Sequence, residues 1–417
     1  EITNRKALDG INSLSAAGIV GAGANNVTGK TPEPYSAPIV RIWKMRPLPE
    51  YPPYQVASPP YGVLWLSISL IVVVFSGIGE LILQPVGNVV GIVSCGSAIV
   101  MVILWMLRLL YYRLSVHYAQ YYYRLVSQYQ QEWWAEHQLH FTLSDVVLLG
   151  PSGSTNTHWW RLLKHEQRPA EVKNEASGKA LRVARTLVEP AHEREVQLAK
   201  MLVLQWKEQR LHAGLPDLRC CYWQGSRRAW QAFCAQMQAT FPTVGLPAEP
   251  RLWRGEQSLA EFAAISDTLA SNEAILVAGC HSLMASFYSV LPAGESAALW
   301  LVGKGGSVCL TRGEVYDVTD KETLSETCSR AERQIGLEEA PDACILFAQP
   351  TLSGCGWNIT RHRQDVYWGN CGEMEMLIVI ALAAISAEYF RRPCSWIARD
   401  PQHTLALGIV KPGGEEN

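Results

Sequence analysis

The sequence predicts an α/β protein that carries a two-helix transmembrane hairpin ahead of a layered α/β domain. Two apolar runs, Val63–Leu83 and Val86–Leu107, are each close to the ~20 residues that cross a ~30 Å hydrocarbon core. From Leu218 to Val410, short apolar segments alternate with helical patterns, which is typical of layered α/β domains. The length of 417 residues allows one membrane unit together with one or two folded domains.

Residues 1–61 are predicted to form an extended cytoplasmic leader. Nine prolines lie between positions 32 and 60, and proline at this density prevents long helices. The leader either wraps around a partner or forms a flexible segment. Ala24–Thr31 (ANNVTGKT) is similar to a phosphate-binding loop, but the Pro-Glu-Pro that follows prevents the helix that such a loop needs. We therefore expect no nucleotide and no other cofactor.

Residues 62–110 are predicted to form the transmembrane hairpin. The residues between the two apolar runs carry no charge, whereas arginines and lysines precede and follow the hairpin. By the positive-inside rule, both termini are expected to lie in the cytoplasm, at a bacterial inner membrane. Small residues would let membrane helices approach closely, and the candidates for such packing are Gly77, Gly79, Gly91 and Gly96.

After the hairpin, a helical stalk at 111–139 is predicted to lead into an α/β domain at 140–417. The mixed segments Thr157–His165 and Ala170–Leu187 have weak helical signals. Lys304–Gly306 is predicted to be a tight hairpin turn between neighbouring strands. Strands are predicted at His140–Leu149, Leu218–Trp223, Ala274–Gly279, Ala297–Val302, Ser307–Leu310, Ala343–Ala348 and Thr404–Val410. Helices are predicted at His192–His212, Arg227–Thr240, Ser258–Ala270, Leu324–Ile335 and Gly372–Ala387.

Gly372–Ala387 is apolar enough to be considered as a third membrane span. It is only 16 residues long, begins with two glutamates in its first four residues and lies between predicted strands. A buried central helix explains this pattern better than a span does.

The composition excludes several classes of function. The formal net charge of −2 provides no general attraction to nucleic acid. Eleven cysteines are scattered without a Cys-x-x-Cys pair, so a structural zinc site is not expected. In the cytoplasm these cysteines would be reduced thiols rather than a disulfide framework.

Residues 215–412 resemble the thiolase-like and β-ketoacyl-synthase-like proteins. ILVAGCHSLMAS from Ile275 and LPAGESAALWLVG from Leu291 are similar to the core strand and the "PGEAAA"-type element of that family, with matches at Gly294 and Glu295. Trp368–Gly372 and the apolar helix after it are similar to the family's "G-H-x-x-G" turn, with Asn370 at the position of the histidine. The resemblance implies a thiolase-like α/β fold.

The resemblance also implies where catalysis is lost. Family enzymes use a cysteine at the N-terminus of a buried helix, where the helix end lowers the pKa of the thiol. Ser258–Ala270 is the matching helix and carries no cysteine. The loop where the first catalytic histidine would lie contains only His362. Adjacent residues of a strand point to opposite faces, so Cys280 and His281 would form a poor catalytic pair.

Three functions follow as hypotheses. The first is a catalytically degenerate scaffold or adaptor, which resembles type VI secretion accessory proteins and would hold an effector or secretion component at the membrane. The second is a membrane-bound acyl-transferring enzyme in which Cys371 is the nucleophile and His362 the base. The third is a structural or immunity-like membrane component that assembles through its hairpins. The expected partners are the lipid bilayer, a protein and further copies of the chain, but no nucleic acid. Glu295 is expected to be a buried structural acid.

Overall fold

The computed structural model describes residues 51–82, 92–184, 186, 190–210, 214–266, 268–349 and 354–413. The phosphate-loop-like motif and most of the leader therefore lie outside the described residues, as do Gly91 and the turn of the hairpin. Residues 51–61 form neither helix nor strand.

Two apolar helices stand at the start of the described chain, α1 (Gly62–Ile82) and α2 (Ile92–His137). Both are long and apolar enough to cross a membrane, and large apolar side chains are exposed along them, such as Leu66, Phe75 and Val102. Helix α2 continues without interruption from its apolar part through the predicted stalk. At 46 residues it is about 69 Å long, more than twice the thickness of a hydrocarbon core.

Residues 51–58 pack along the part of α2 that extends beyond its apolar run. The backbone N–H of Ala57 donates to Ser115 Oγ at 3.0 Å, and Tyr122 Oη donates to the carbonyl of Pro52 at 2.8 Å. Arg108 donates to the carbonyl of Ser58 at 3.0 Å. These bonds attach the segment before α1 to the side of α2.

The α/β domain begins directly after α2. Its strands are β1 His140–Leu149, β2 Lys173–Glu175, β3 Gly178–Ala180, β4 Asp217–Gln224, β5 Arg251–Leu252, β6 Glu273–Ser282, β7 Glu295–Gly303, β8 Val308–Thr311, β9 Glu314–Tyr316, β10 Ala343–Leu346, β11 His362–Arg363, β12 Cys394–Arg399 and β13 Leu405–Pro412. Its helices are α3 Asn156–Leu163, α4 Ala191–Gln209, α5 Arg227–Thr240, α6 Glu256–Ser266, α7 Leu324–Ile335, α8 Asp365–Trp368 and α9 Glu375–Phe390. The predicted strand at His140–Leu149 and the predicted helices Arg227–Thr240 and Leu324–Ile335 are confirmed to the residue. The prediction of a weak helix at Ala170–Leu187 is wrong, because this stretch contains the small β2–β3 hairpin.

The large sheet has eleven strands, and its two halves repeat the same arrangement. Ten of the strands follow the order β11-β10-β12-β13-β8-β1-β7-β6-β4-β5, and β9 pairs with β13. In each half a central strand (β6 or β12) pairs in parallel with one neighbour and antiparallel with the other. The halves join where β1 and β8 pair antiparallel.

The predicted hairpin turn at Lys304–Gly306 is wrong. Strands β7 and β8 do not pair, because β1 lies between them and pairs antiparallel with both. Gly306 crosses so close to β1 that a Cβ atom on it would lie 2.2 Å from the carbonyl oxygen of Leu143. Gly306 of the Gly-Gly sequence therefore allows the chain to pass close to β1 and does not form a two-residue turn.

Helices α6 and α9 have corresponding places in the chain order of the two halves: α6 follows β5 and precedes the central strand β6, and α9 follows β11 and precedes the central strand β12. The largest apolar cluster contains Phe262 of α6, Trp300 of β7 and almost all of α9. Met376–Ala387 is buried all round, which confirms the prediction of a central helix rather than a third span. Helices α4 and α5 cover the other face of the first half through a second cluster around Trp206 and Phe233.

Candidate functional site

The first turn of α6 is held by a single buried aspartate. Gly255, just before the helix, has a φ of +64°, and a Cβ atom on it would lie 2.4 Å from Asp400 Oδ1. That oxygen accepts the N–H of Glu256 at 3.0 Å. The other oxygen accepts the N–H groups of Gln402 and His403, and lies 3.0 Å from Nδ1 of the His403 ring. Asp400 therefore links the end of β12 to the N-terminus of α6.

The first three residues of α6 have polar side chains, and two of these side chains are hydrogen-bonded. Gln257 Oε1 accepts a hydrogen bond from Gln402 Nε2 at 2.8 Å, and Ser258 Oγ accepts the N–H of Arg254 at 2.9 Å. The carboxylate of Glu256 lies 3.9 Å from Arg312 Nε. Burial raises the pKa of Glu256, and Arg312 only partly opposes this. The turn thus presents a hydrogen-bonded amide, a hydrogen-bonded hydroxyl and a buried acid whose Oε1 has no hydrogen-bond partner among the described residues.

The N-terminus of α9 carries a second buried acid. Glu375 accepts the N–H of Arg399 at 3.1 Å and a hydrogen bond from Gln349 Nε2, and its carboxylate lies 3.6 Å from Arg399 Nε. Burial raises the pKa of Glu375 to about 7. Asp400 and Arg399 are consecutive, so the end of β12 contacts the N-termini of both central helices.

Cys371 and His362, the two predicted catalytic residues, do not contact each other in the part of the chain that the structure describes. Cys371 is buried, and its thiol donates to the carbonyl of Trp368 at 3.5 Å. Burial raises the pKa of this thiol, which is the opposite of what activation requires. His362 lies on β11, where its ring stacks on His165 with 4.8 Å between the ring centroids.

The expectation that Cys371 directly precedes the last buried helix is wrong. A 3₁₀ helix, Gly372–Met374, separates it from α9, which begins at Glu375. The residue that lies at the start of α9 is therefore an acid and not a thiol. Sequence reasoning noted this glutamate only as a charge that argues against a membrane span.

The three residues that the resemblance places at family positions, Gly294, Glu295 and Asn370, lie close together. The N–H of Gly294 donates to the carbonyl of Asn370 at 2.8 Å, and a Cβ atom on Gly294 would lie 2.5 Å from the carbonyl oxygen of Trp368. Glu295, the next residue, is fully buried. Its carboxylate accepts hydrogen bonds from the N–H of Val183 at 2.7 Å, from Thr186 Oγ1 at 2.8 Å and from Ser282 Oγ at 3.0 Å.

Sequence reasoning missed the buried arginines near Glu295. Arg194 Nε lies 3.4 Å from its carboxylate, and Arg182 forms a two-pronged ion pair with Glu175, both bonds at 2.7 Å. Arg194 lies about 100 residues before Glu295 in the chain, and no local pattern marks this contact. Cys280 and His281 both contact Glu195: the thiol of Cys280 donates to its carbonyl, and Nδ1 of His281 lies 2.8 Å from its carboxylate.

The small residues of the hairpin have unequal surroundings. A Cβ atom on Gly77 would lie 3.9 Å from Ser94 Oγ, so Gly77 faces the other helix. Cβ atoms on Gly79 and Gly96 would meet no atom of the described residues within 4 Å, so within that part of the chain neither glycine touches the opposite helix. Gly91 is outside the described residues.

No protein-family model matches the chain, and no curated protein matches it. Among solved structures, the ishigamide ketosynthase/chain length factor is 12% identical and covers 66% of this chain and 99% of its own, with a TM-score of 0.45. A ketosynthase from module 1 of the bacillaene synthase of Bacillus amyloliquefaciens is 8% identical and covers 67% and 77%, with a TM-score of 0.46. The 3-oxoacyl-(acyl carrier protein) synthase III of Xanthomonas oryzae is 9% identical and covers 65% and 98%, with a TM-score of 0.41. Each of these three similarities covers about two thirds of this chain.

Proposed function

We propose that this protein is a membrane-anchored, thiolase-like scaffold or adaptor that does not catalyse acyl transfer. The observation that carries the proposal is the chemistry of the two first turns, in which Glu256 and Glu375 take the places nearest the helix N-termini. Acyl transfer needs a nucleophile there whose pKa the helix end can lower. The end of β12 holds both turns: Asp400 accepts the backbone N–H of Glu256, and the carboxylate of Glu375 accepts the N–H of Arg399.

The apolar helices α1 and α2 support the anchor in this proposal. Their exposed apolar side chains are stable in a bilayer and unfavourable in water. A domain held at the membrane by a long stalk suits a protein that presents or holds a partner. The partner class that the sequence resemblance implies is a secretion effector or secretion component, met on the cytoplasmic side of a bacterial inner membrane.

A covalent-labelling experiment tests the absence of acyl transfer. The intact chain in detergent is incubated with a small soluble acyl thioester, and peptide mass spectrometry identifies any acylated cysteine. We expect no stoichiometric adduct on Cys371, because its thiol is buried and its pKa is raised. An adduct on Cys371 that the Cys371→Ser variant lacks would support the alternative, a membrane-bound acyl-transferring enzyme.

A second experiment tests the adaptor role itself. The full chain is crosslinked in native membranes, extracted and purified, and the proteins bound to it are identified by mass spectrometry. We expect one protein to be recovered in a fixed ratio to the chain. Recovery of the chain alone, or only of further copies of itself, would contradict the adaptor role and favour assembly through the hairpins.

A further inference from the structure

A cavity of about 680 Å³ lies at the C-terminal end of α9, away from the helix N-termini described above. Leu163 of α3, Phe390 of α9, the start of β10 and the segment that ends at His362 form its walls. Nothing in the proposed adaptor function uses this cavity.

Positive charge predominates around the cavity. Arg361 and Arg392 both line it, and the acid that lines it with them is Asp342. Asp342 lies 3.4 Å from Arg392 Nη1, in a pair whose two side chains are largely exposed. Within the described part of the chain, Arg361 has no ion pair. One arginine therefore faces the cavity without a counter-charge.

His362 adds a buried polar atom that lacks a partner. The residue is 7% exposed and lines the cavity, and its Nδ1 has no hydrogen-bond partner among the described residues. Leaving a buried polar atom unpaired costs free energy. A ligand atom that bonds to this nitrogen would remove that cost.

The ring of His362 is held in place by a second histidine. His165 lies just after the C-terminus of α3 and has a φ of +61°, a left-handed backbone conformation that residues other than glycine rarely adopt. Its ring is inclined 21° to that of His362, with 4.8 Å between the centroids. The unfavourable backbone conformation thus coincides with a stack that orients His362.

The remaining wall of the cavity is apolar. Leu163, Phe390 and Pro393 face the same space as Arg361 and His362. We propose that this cavity binds an oxyanion, a phosphate or a carboxylate, that carries an apolar group. Arg361 pairs with the anionic oxygens, Nδ1 of His362 donates to one of them in the tautomer that carries the proton there, and the apolar wall contacts the rest of the ligand. Either an anionic lipid or a soluble phosphate ester or carboxylate with an apolar chain supplies this chemistry.

Isothermal titration calorimetry on the intact chain in detergent tests the proposal, with hexyl phosphate as the probe and sodium chloride at matched ionic strength. We expect saturable binding that hexanol does not reproduce. Arg361→Gln is expected to weaken the binding by at least tenfold, whereas Arg227→Gln, an exposed arginine on α5, leaves it unchanged. Equal affinity in Arg361→Gln and the wild type, or binding of hexanol as strong as that of hexyl phosphate, would overturn the proposal.

His362→Phe provides an independent variant, because it keeps an aromatic ring for the stack and removes Nδ1. We expect weaker binding of hexyl phosphate with the thermal midpoint of the free protein retained within a few degrees; a folded variant with unchanged affinity would contradict the role of His362.

Nanodiscs distinguish the source of the ligand. A thermal midpoint that phosphatidic acid raises above its value in phosphatidylcholine, in the wild type and not in Arg361→Gln, identifies a lipid, and equal midpoints together with hexyl phosphate binding identify a soluble ester.

Discussion

At the scale of single residues, Asp400 is the acid on which the start of α6 depends. Its side chain is almost fully buried and accepts hydrogen bonds from three backbone N–H groups. Removing it would take this acceptor from three backbone N–H groups, one at the N-terminus of α6 and two in the loop between β12 and β13. Hydrogen bonds to a charged group are each worth about 1.5–3 kcal/mol, and neighbouring bonds do not add fully.

We predict that Asp400→Ala lowers the free energy of unfolding by about 3 kcal/mol, a loss equal to one to two such bonds. Thermal unfolding of the full chain in detergent measures the change as a lower midpoint. Asp320→Ala, which removes an exposed acid from a loop, is the matched control and should shift the midpoint little. Equal shifts for the two variants would show that Asp400 does not hold the helix.

The second residue whose charge matters is Glu375. Burial raises its pKa to about 7, whereas in the unfolded chain the carboxyl group titrates near 4.5. Between these two values the folded state keeps a proton that the unfolded state has lost. The contribution of Glu375 to stability is therefore complete below pH 4.5, falls as the pH rises from 4.5 to 7, and is constant above pH 7.

We predict that the free energy of unfolding of Glu375→Gln rises, relative to that of the wild type, by up to about 3 kcal/mol between pH 5 and pH 8. The measurement is the difference in thermal midpoint between the variant and the wild type at each pH. Glu388→Gln, an exposed position of the same helix, controls for the loss of one carboxylate. The same pH profile for both variants would remove Glu375 as the source.

At the scale of elements, Gly255 is the residue that allows α6 to begin against β12. It combines a left-handed backbone with a contact distance too short for a side chain. Gly336, which ends α7 with a φ of +72°, has the same backbone requirement but open space around it. The two glycines separate the cost of backbone strain from the cost of a clash.

We predict that Gly336→Ala costs about 1 kcal/mol, the backbone term alone. Gly255→Ala is expected to cost about 3 kcal/mol, because Asp400 must also move away from the new methyl group. Thermal unfolding of both variants measures the difference. If the thermal midpoint falls no further for Gly255→Ala than for Gly336→Ala, Asp400 moves away from the new methyl group at no cost in stability.

At the scale of the whole molecule, one continuous helix connects the apolar hairpin with the α/β domain. About 20 residues of α2 suffice to cross a bilayer, so roughly 40 Å of helix remains beyond it. Residues 51–58 run along this remaining part and are bonded to it. The segment before α1 and the part of α2 beyond its apolar run therefore lie at the same end of the two apolar helices.

We predict that the chain stays in the membrane fraction after extraction with alkaline carbonate and that its C-terminus is cytoplasmic. A C-terminal fusion to a reporter that is active only in the cytoplasm should be active. Protease added outside spheroplasts should leave the α/β domain intact. Release of the chain by carbonate, or cleavage of the domain from outside, would contradict the proposed anchor or its orientation.

The sequence alone was enough to predict the elements whose signals are local. Each of these elements could be predicted from the composition of its own segment: the apolar length of α1 and α2, the uniform burial of α9 and the strand His140–Leu149. Hydrophobic burial acts on each side chain wherever its element lies, so such segments indicate their own structure.

Only the tertiary structure decided which segments meet. The position of β1 between β7 and β8, the link from Asp400 to Glu256 and the separate surroundings of Cys371 and His362 all depend on residues far apart in the chain. A strand presents the same backbone donors and acceptors to any neighbour, so its own residues do not specify its partner. The partner is chosen by the packing of both sheet faces, here by α4 and α5 on one side and α6 and α9 on the other. That packing is a property of the whole α/β domain, and in it Glu256 begins α6, the helix at whose N-terminus the resemblance implies a thiol.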